Sequence, residues 1–390
     1  MDPAPALVTV KGAPSGAARR VAWRSETTPA PRTARVAGDV LSADAALHRL
    51  RSGEAIVWSG DWHGARQLLA AVGRRLRTRP RAVDLAALFR AEREAKRRER
   101  ATLSLLAIPV GPGWRSPLRR APSLEAPLSE AFGAPPEEAV LMPMREVLGA
   151  IGAHEWFRRG VPVPALGGRV HPRYGVFAPV RGEYVDLVAG ALATRAGELG
   201  LAGGARAFDV GTGTGVLAIL LARAGARVVA SDIDARAVAC ARENAARFGV
   251  ADRVEVVRAD LFPPGRARLV VANPPWIPEE PQGALDRAVY DPGGALLARL
   301  VAGLPEHLEP GGQAWVVLSD LAERLGLRPP GTLESLARSA GLDVAFTSEI
   351  RPSHPRARDP DDPLAAARSG ETTRLYGLVS LATSCRHATA

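Results

Sequence analysis

Apolar positions recur in short runs through the second half of the chain, and each run ends in a polar or turn residue. Phe208–Val210, Val228–Ser231, Val254–Val257 and Leu269–Ala272 have this form. Runs of that length between turn signals predict buried strands. The apolar stretch opening at Val216 and the segment Ala235–Phe248 predict helices between them, so strands and helices alternate. Such alternation predicts a mainly parallel sheet. Further on, Gly294–His307 and Thr332–Ala340 predict helices, and Ala314–Leu318, Val344–Ile350 and Thr373–Leu381 predict strands. Residues 351–362 are expected to form a long connection between the last two strands.

The first half reads differently. Residues 1–40 mix Pro, Ala, Ser, Thr and Arg without periodicity, and a disordered tail is expected there. Ile56-Val57-Trp58 predicts a strand, and Asp61 an N-cap for a helix whose Leu68, Leu69, Val72 and Leu76 form one stripe. Val83–Thr102 predicts a second helix, Leu103–Val110 a strand, and Pro143–Phe157 a third helix. The Pro/Gly-rich stretch Gly160–Gly168 marks the expected domain boundary. The expected architecture is thus α/β, with a seven-stranded Rossmann-like domain over 166–390 and a smaller basic α/β domain over 41–165.

Chemistry enters at Phe208-Asp209-Val210-Gly211-Thr212-Gly213-Thr214-Gly215, a strand running into a glycine-rich turn and then a helix. Such a turn admits a ligand close to the backbone at the carboxyl edge of a parallel sheet. A dinucleotide fingerprint counted from Gly211 needs Gly or Ala at 216, where Val216 stands, and a P-loop lysine is missing. A ligand without a pyrophosphate is favoured. The second strand ends in Asp232, 19 positions after Gly213, the spacing at which a carboxylate meets ribose hydroxyls. Asp260 follows the third strand, and Asn273-Pro274-Pro275-Trp276 ends the fourth.

With that ordered set, the chain from about His171 onward resembles the class I S-adenosylmethionine-dependent methyltransferases. It looks like the methyltransferase small-domain type, whose fourth strand ends in Asn/Asp-Pro-Pro-aromatic. That branch includes N6-adenine and guanine-N2 nucleic-acid methyltransferases and release-factor glutamine methyltransferases. The resemblance implies a seven-stranded sheet with an antiparallel last strand, and S-adenosylmethionine as cofactor. It implies that Gly211 and Gly213 pass beneath the methionine portion and that Asp209 lies near its ammonium. It also implies that Asp232 holds the ribose hydroxyls and that Asp260 meets the adenine amine. Three carboxylates at strand ends suit a cationic ligand, although each could alternatively be a cap residue.

The tetrad suits a planar NH2 whose lone pair is delocalised into an amide or a base ring. The Asn273 side-chain oxygen and the Pro274 carbonyl can each accept one of its hydrogens, and Pro275 stiffens the turn. Trp276 offers a flat face, where both families usually carry Tyr or Phe. Tyr174 and Phe177 fall in a segment that lies over the substrate pocket in either family and are candidate lid residues. Pro179-Val180-Arg181 only partly matches the Pro-Arg-Pro segment of release-factor methyltransferases. Pro278–Gln282 is a polar loop placed to cover the site.

Charge extends the picture to the first half. Residues 1–180 carry a net +12 and residues 181–390 a net −2. An isolated basic part fits nucleic acid, with Arg74, Arg75, Arg77 and Arg79 as the candidate patch. With only Lys11 and Lys96 as lysines, the arginines also fit a compositional bias. Cys240 and Cys385 stand far apart, the histidines form no HxH or HxxxH pair, and no metal site is expected. No secretory signal pattern opens the chain and no apolar run is long enough to span a bilayer, so a soluble cytoplasmic protein is expected. The leading reading is an N-methyltransferase acting on ribosomal RNA or other nucleic acid, without metal or membrane. The alternative is a glutamine methyltransferase acting on a release factor or ribosomal protein. A small-molecule methyltransferase and an inactive cofactor-binding scaffold come after these.

Overall fold

Val8 and Val10 alternate with more exposed neighbours, and that period of two makes Leu7–Lys11 a strand, β1, with both valines buried. The computed structural model describes residues 6–12, 18–283, 285–352 and 362–381. The chain divides into two compact units: Met1–Val83 with Ala87–Glu155, and Asp84–Ala86 with Trp156–Ala390. After β1 the smaller unit runs through β2 (Arg19–Trp23), β3 (Thr33–Ala37), α1 (Ala43–Arg51), β4 (Ala55–Trp58) and α2 (Trp62–Leu76). It continues with α3 (Leu85–Leu103), β5 (Leu106–Val110), α4 (Glu125–Phe132), β6 (Val140–Pro143) and α5 (Met144–Arg159). Its six strands close into a barrel in the order β1-β2-β6-β5-β4-β3. Alanines 34, 55 and 107 share the interior with Val8, Val10 and Trp23, so small residues on three strands offset one large indole.

The expectation of a disordered tail over 1–40 is corrected here, because three barrel strands lie within it. The loop between β2 and β3 is fixed by a residue far away in sequence. Buried Glu146 on α5 accepts hydrogen bonds from the hydroxyls of Ser25 and Thr27 and from the peptide N–H groups of Glu26 and Thr27. Asp61 caps α2, its Oδ1 accepting from the His63 N–H at 2.8 Å, and the helix buries Trp62, Ala65, Leu68 and Val72. Trp114 is fully buried and donates to the Gly133 carbonyl at 3.1 Å, so it is a packing residue.

The larger unit opens with a short hairpin of β7 (Val161–Val163) and β8 (Gly168–Val170). Residues 160–168, expected to be the boundary, therefore lie inside this unit, which takes up the chain at Trp156. Then follow α6 (Glu183–Arg195), β9 (Arg206–Val210), α7 (Val216–Arg223), β10 (Arg227–Asp232), α8 (Ala235–Arg247), β11 (Val254–Arg258) and β12 (Ala267–Ala272). The chain ends with α9 (Ala295–His307), β13 (Leu308–Ser319), α10 (Leu321–Arg324), α11 (Thr332–Ser339), β14 (Leu342–Ile350), α12 (Ala365–Ser369) and β15 (Thr373–Ser380). Seven strands form one sheet in the order β11-β10-β9-β12-β13-β15-β14, with β15 antiparallel to both neighbours. Most of the connection at 351–362 lies outside the described residues.

Successive strand residues alternate between two apolar layers. Ala207, Leu269, Val271 and Trp315 face one with α6, α7 and α8, while Phe208, Val270, Val316 and Leu378 face the other with α9 and α11. Burial on both faces is why these strands read as continuous apolar runs. Strand order then places the site. β9 lies between β10 and β12, where the order reverses, and ligands of open α/β sheets bind at the carboxyl end of such a point.

Candidate active site

Register brings the expected residues to one edge. Val210 pairs with Ser231 on one side and with Ala272 on the other. The next residues in the three strands, Gly211, Asp232 and Asn273, therefore emerge together. Gly211, Gly213 and Gly215 have φ of 74°, 55° and 81°, the left-handed region that excludes most side chains. A Cβ on Gly211 or Gly213 would meet no atom within 4 Å, so open space lies over the turn. Gly215 instead packs closely on α8, where a Cβ would come within 3.1 Å of Ala241.

Asp209 sits beneath that turn, 1 % exposed. Its Oδ2 accepts from the Thr212 hydroxyl at 2.6 Å and from the Ala218 N–H at 2.9 Å, so it shapes the turn and holds the start of α7. Burial pushes its carboxyl up to about 6 against these hydrogen bonds. Asp232 ends β10 at the same sheet edge. Its Oδ2 accepts from Gly213 N–H at 3.0 Å and its Oδ1 from Asp234 N–H at 2.9 Å, and burial raises its carboxyl. Asp260 is exposed and ion-paired with Arg299 on α9 at 2.7 Å.

The raised carboxyl of Asp209 yields a prediction with a defined sign. A carboxyl raised in the folded state adds stability below its ordinary value of 3.8, and that contribution is lost as pH climbs through about 6. Asp209→Asn keeps one acceptor oxygen and removes the titration. Relative to the wild type, the variant is expected to gain about 1.4 kcal/mol between about pH 5 and about pH 8, the rest of the effect falling below pH 5. Urea midpoints at both pH values measure the gain, and a difference independent of pH contradicts it.

Asn273 is half-buried at the end of β12, and its Oδ1 accepts from the Trp276 indole N–H at 2.9 Å. The Trp276 carbonyl accepts from Arg328 at 3.1 Å, and the Arg181 guanidinium carbon lies 5.7 Å from the centre of the indole ring. Arg328, 7 % exposed, also donates to the Ser319 carbonyl at 2.8 Å, tying the tetrad to the end of β13. Arg181 is held by Glu371, 1 % exposed, which also accepts from the Ser319 hydroxyl. Beyond the tetrad the chain loops out and returns. The Trp276 and Ile277 N–H groups both donate to the Val289 carbonyl, and Asp291 N–H donates to the Ile277 carbonyl, closing the neck of a 278–290 loop.

The segment ahead of α6 reaches the same edge. Tyr174 lies under the Arg236 guanidinium, Val176 packs on Ala237 and Cys240 of α8, and Phe177 is 41 % exposed. Buried Asn244 on α8 joins this segment to the glycine turn. Its amide donates to the Thr214 and His171 carbonyls, and its Oδ1 accepts from His171 N–H. Asn244, Arg328 and Glu371 escaped the sequence reading. The one available signal was Asn244, a polar residue on the apolar face of a helix. Arg74, Arg75, Arg77 and Arg79 are exposed at and beyond the end of α2 in the smaller unit, where Arg75 pairs with Asp44 at 2.7 Å. Among the described residues no cluster of His, Cys, Asp and Glu could hold a metal, and no helix is long and apolar enough to cross a membrane.

Residues 169–327 match the methyltransferase small domain family. That match lies wholly within the larger unit, which holds the seven-stranded sheet. The chain is 35% identical over 153 residues to a release factor glutamine methyltransferase of Cereibacter sphaeroides, covering 35% of this chain and 52% of that one. It is 49% identical over 104 residues to a ribosomal protein L11 methyltransferase of Pelotomaculum thermopropionicum, covering 24% and 32%. It is 37% identical over 114 residues to a ribosomal RNA small subunit methyltransferase C of Alcanivorax borkumensis, covering 29% and 31%. The matches span about half of the first relative and about a third of the other two.

Proposed function

We propose that the chain is an S-adenosylmethionine-dependent N-methyltransferase acting on a planar NH2 group of a macromolecule, with a ribosomal RNA base as the favoured acceptor. The observation that carries this reading is the emergence of Asn273 beside Gly211 and Asp232 at the reversal point of the sheet. The cofactor fits the residues present. Its main chain of contacts would run over the open glycine turn, with Asp232 on the ribose hydroxyls and Asp260 on the adenine side. Asp232 can do this because each carboxylate oxygen has lone pairs beyond those taken by Gly213 and Asp234. Asp209 takes the part of a residue that sets the turn.

S-adenosylmethionine supplies a methyl group already activated on sulfur, so the protein's task is alignment. The Asn273 oxygen and the Pro274 carbonyl accept the two NH2 hydrogens. They draw the nitrogen lone pair out of conjugation, aim it, and stabilise positive charge as it develops there. Tyr174, Phe177 and the 278–290 loop would close over the acceptor.

The exposed arginines of the smaller unit favour nucleic acid over protein. Binding to ribosomal RNA is expected to weaken steeply with salt, and glutamine at 74, 75, 77 and 79 together should reduce the log–log slope by about 3, through lost counterion release. Cofactor affinity should not change. A second reading, a glutamine amide in a release factor or ribosomal protein, is supported by the first relative named above. Equal salt slopes for wild type and variant, or no RNA binding at low salt, would shift the preference to that reading.

A further inference from the structure

We infer that Trp276 acts as a hydrogen-bonding positioning residue that fixes the Asn273 amide through its indole N–H; this rests on the function proposed above. The Nε1–Oδ1 distance of 2.9 Å closes the tetrad on itself. An amide has an oxygen with two lone pairs at one end and two N–H donors at the other. Facing an indole N–H, only the oxygen end is favourable, so the bond decides which way the amide is turned. One lone pair of Oδ1 is then engaged and the other remains for an acceptor nitrogen's hydrogen. Without the indole, the amide can turn over and present N–H groups to an NH2 that needs an acceptor.

The indole is itself firmly placed. Its peptide N–H donates to the Val289 carbonyl at 3.1 Å, and its own carbonyl accepts from Arg328. Its ring packs against both apolar layers of the larger unit, with the Arg181 guanidinium carbon 5.7 Å from its centre. Arg181 thus lies over a ring that a stacked base would need to reach, and the polar edge of the ring is the part joined to Asn273. Phenylalanine and tyrosine have no N–H at that edge. The exchange for Trp276 therefore changes how Asn273 is held, beyond changing ring size.

Trp276→Phe separates the two roles, since it keeps an aromatic face and removes the donor. Turnover should fall roughly tenfold, the scale of one lost hydrogen bond, while the KM for S-adenosylmethionine stays unchanged. In an Asn273→Ala background the same substitution should cost nothing further, because its effect passes through Asn273. A multiplicative loss in the double variant, or wild-type turnover in Trp276→Phe, overturns the inference. A second measurement needs no activity. The chain has seven tryptophans, and Trp276→Phe identifies one indole N–H signal in a nitrogen–proton correlation spectrum. That signal should move upfield in Asn273→Ala and stay downfield in Asn273→Asp, which retains an acceptor oxygen. An unmoved signal in Asn273→Ala also overturns the inference. Absence of methyl transfer by the wild type would bear on the proposed function and leave the spectral result standing.

Discussion

Asn273→Ala is expected to lower turnover about 100-fold or more, on the scale of a preorganised transition-state contact, with S-adenosylmethionine affinity changed by less than about twofold. The asymmetry follows from placement. Asn273 leaves β12 on the side of β9 away from Asp232, with Ala272 registered on Val210. Its Oδ1 bonds to Trp276. Deleting the amide removes the acceptor proposed for the NH2 group and leaves Gly211, Gly213 and Asp232 in place. Single-turnover rates at saturating cofactor, with cofactor affinity from calorimetry, measure the two effects separately. Turnover within about threefold of wild type would remove Asn273 from the chemistry.

Asp232→Ala is expected to act on the other quantity and weaken S-adenosylmethionine binding by well over tenfold. Two hydroxyl bonds to a charged acceptor are worth about 1.5–3 kcal/mol each. The substitution also frees the Gly213 N–H, which Asp232 holds at 3.0 Å, so the turn loses an anchor along with the proposed ribose contact. Asp234→Ala is the control. Asp234 caps α8 through the Arg236 N–H at 2.8 Å, and its loss should cost about 1 kcal/mol of stability with little change in affinity. Calorimetry on the three proteins distinguishes the cases, and equal affinity for wild type and Asp232→Ala contradicts the assignment.

The larger unit was legible because its signals are local. The glycine turn, the acids at strand ends and Asn273-Pro274-Pro275-Trp276 each lie within a few residues of a strand end. Strands buried on both faces also leave long apolar runs. The barrel was not legible for the opposite reason. β1, β2 and β3 have five residues each, and β2 pairs with β6 from more than a hundred residues away. Glu146, which fixes the 25–28 loop, gives no sign of it in a helical segment. Within the site, residue types were readable and directions were not. A sequence shows an acid at 209 but not that its oxygen turns down to Thr212 and Ala218. It shows an acid at 260 but not the Arg299 guanidinium 39 positions away that pairs with it. Arg328 reaches the Trp276 carbonyl from 52 positions away, and Glu371 meets Arg181 and Ser319 at the ends of β13 and β15, relations that exist once the sheet is assembled.

Methyl transfer to an NH2 nitrogen of a macromolecule is the proposed reaction. Its most direct test is incubation of the protein and its Asn273→Ala variant with methyl-labelled S-adenosylmethionine and an extract from a strain lacking the gene. The labelled product is then split between ribonuclease and protease digestion and broken down to nucleosides or amino acids. Label is expected from the wild type and almost none from the variant, carried as an N-methylated base in the ribonuclease-sensitive fraction. Label on an oxygen, carbon or sulfur atom, equal labelling by both proteins, or no labelled macromolecule at all would contradict it.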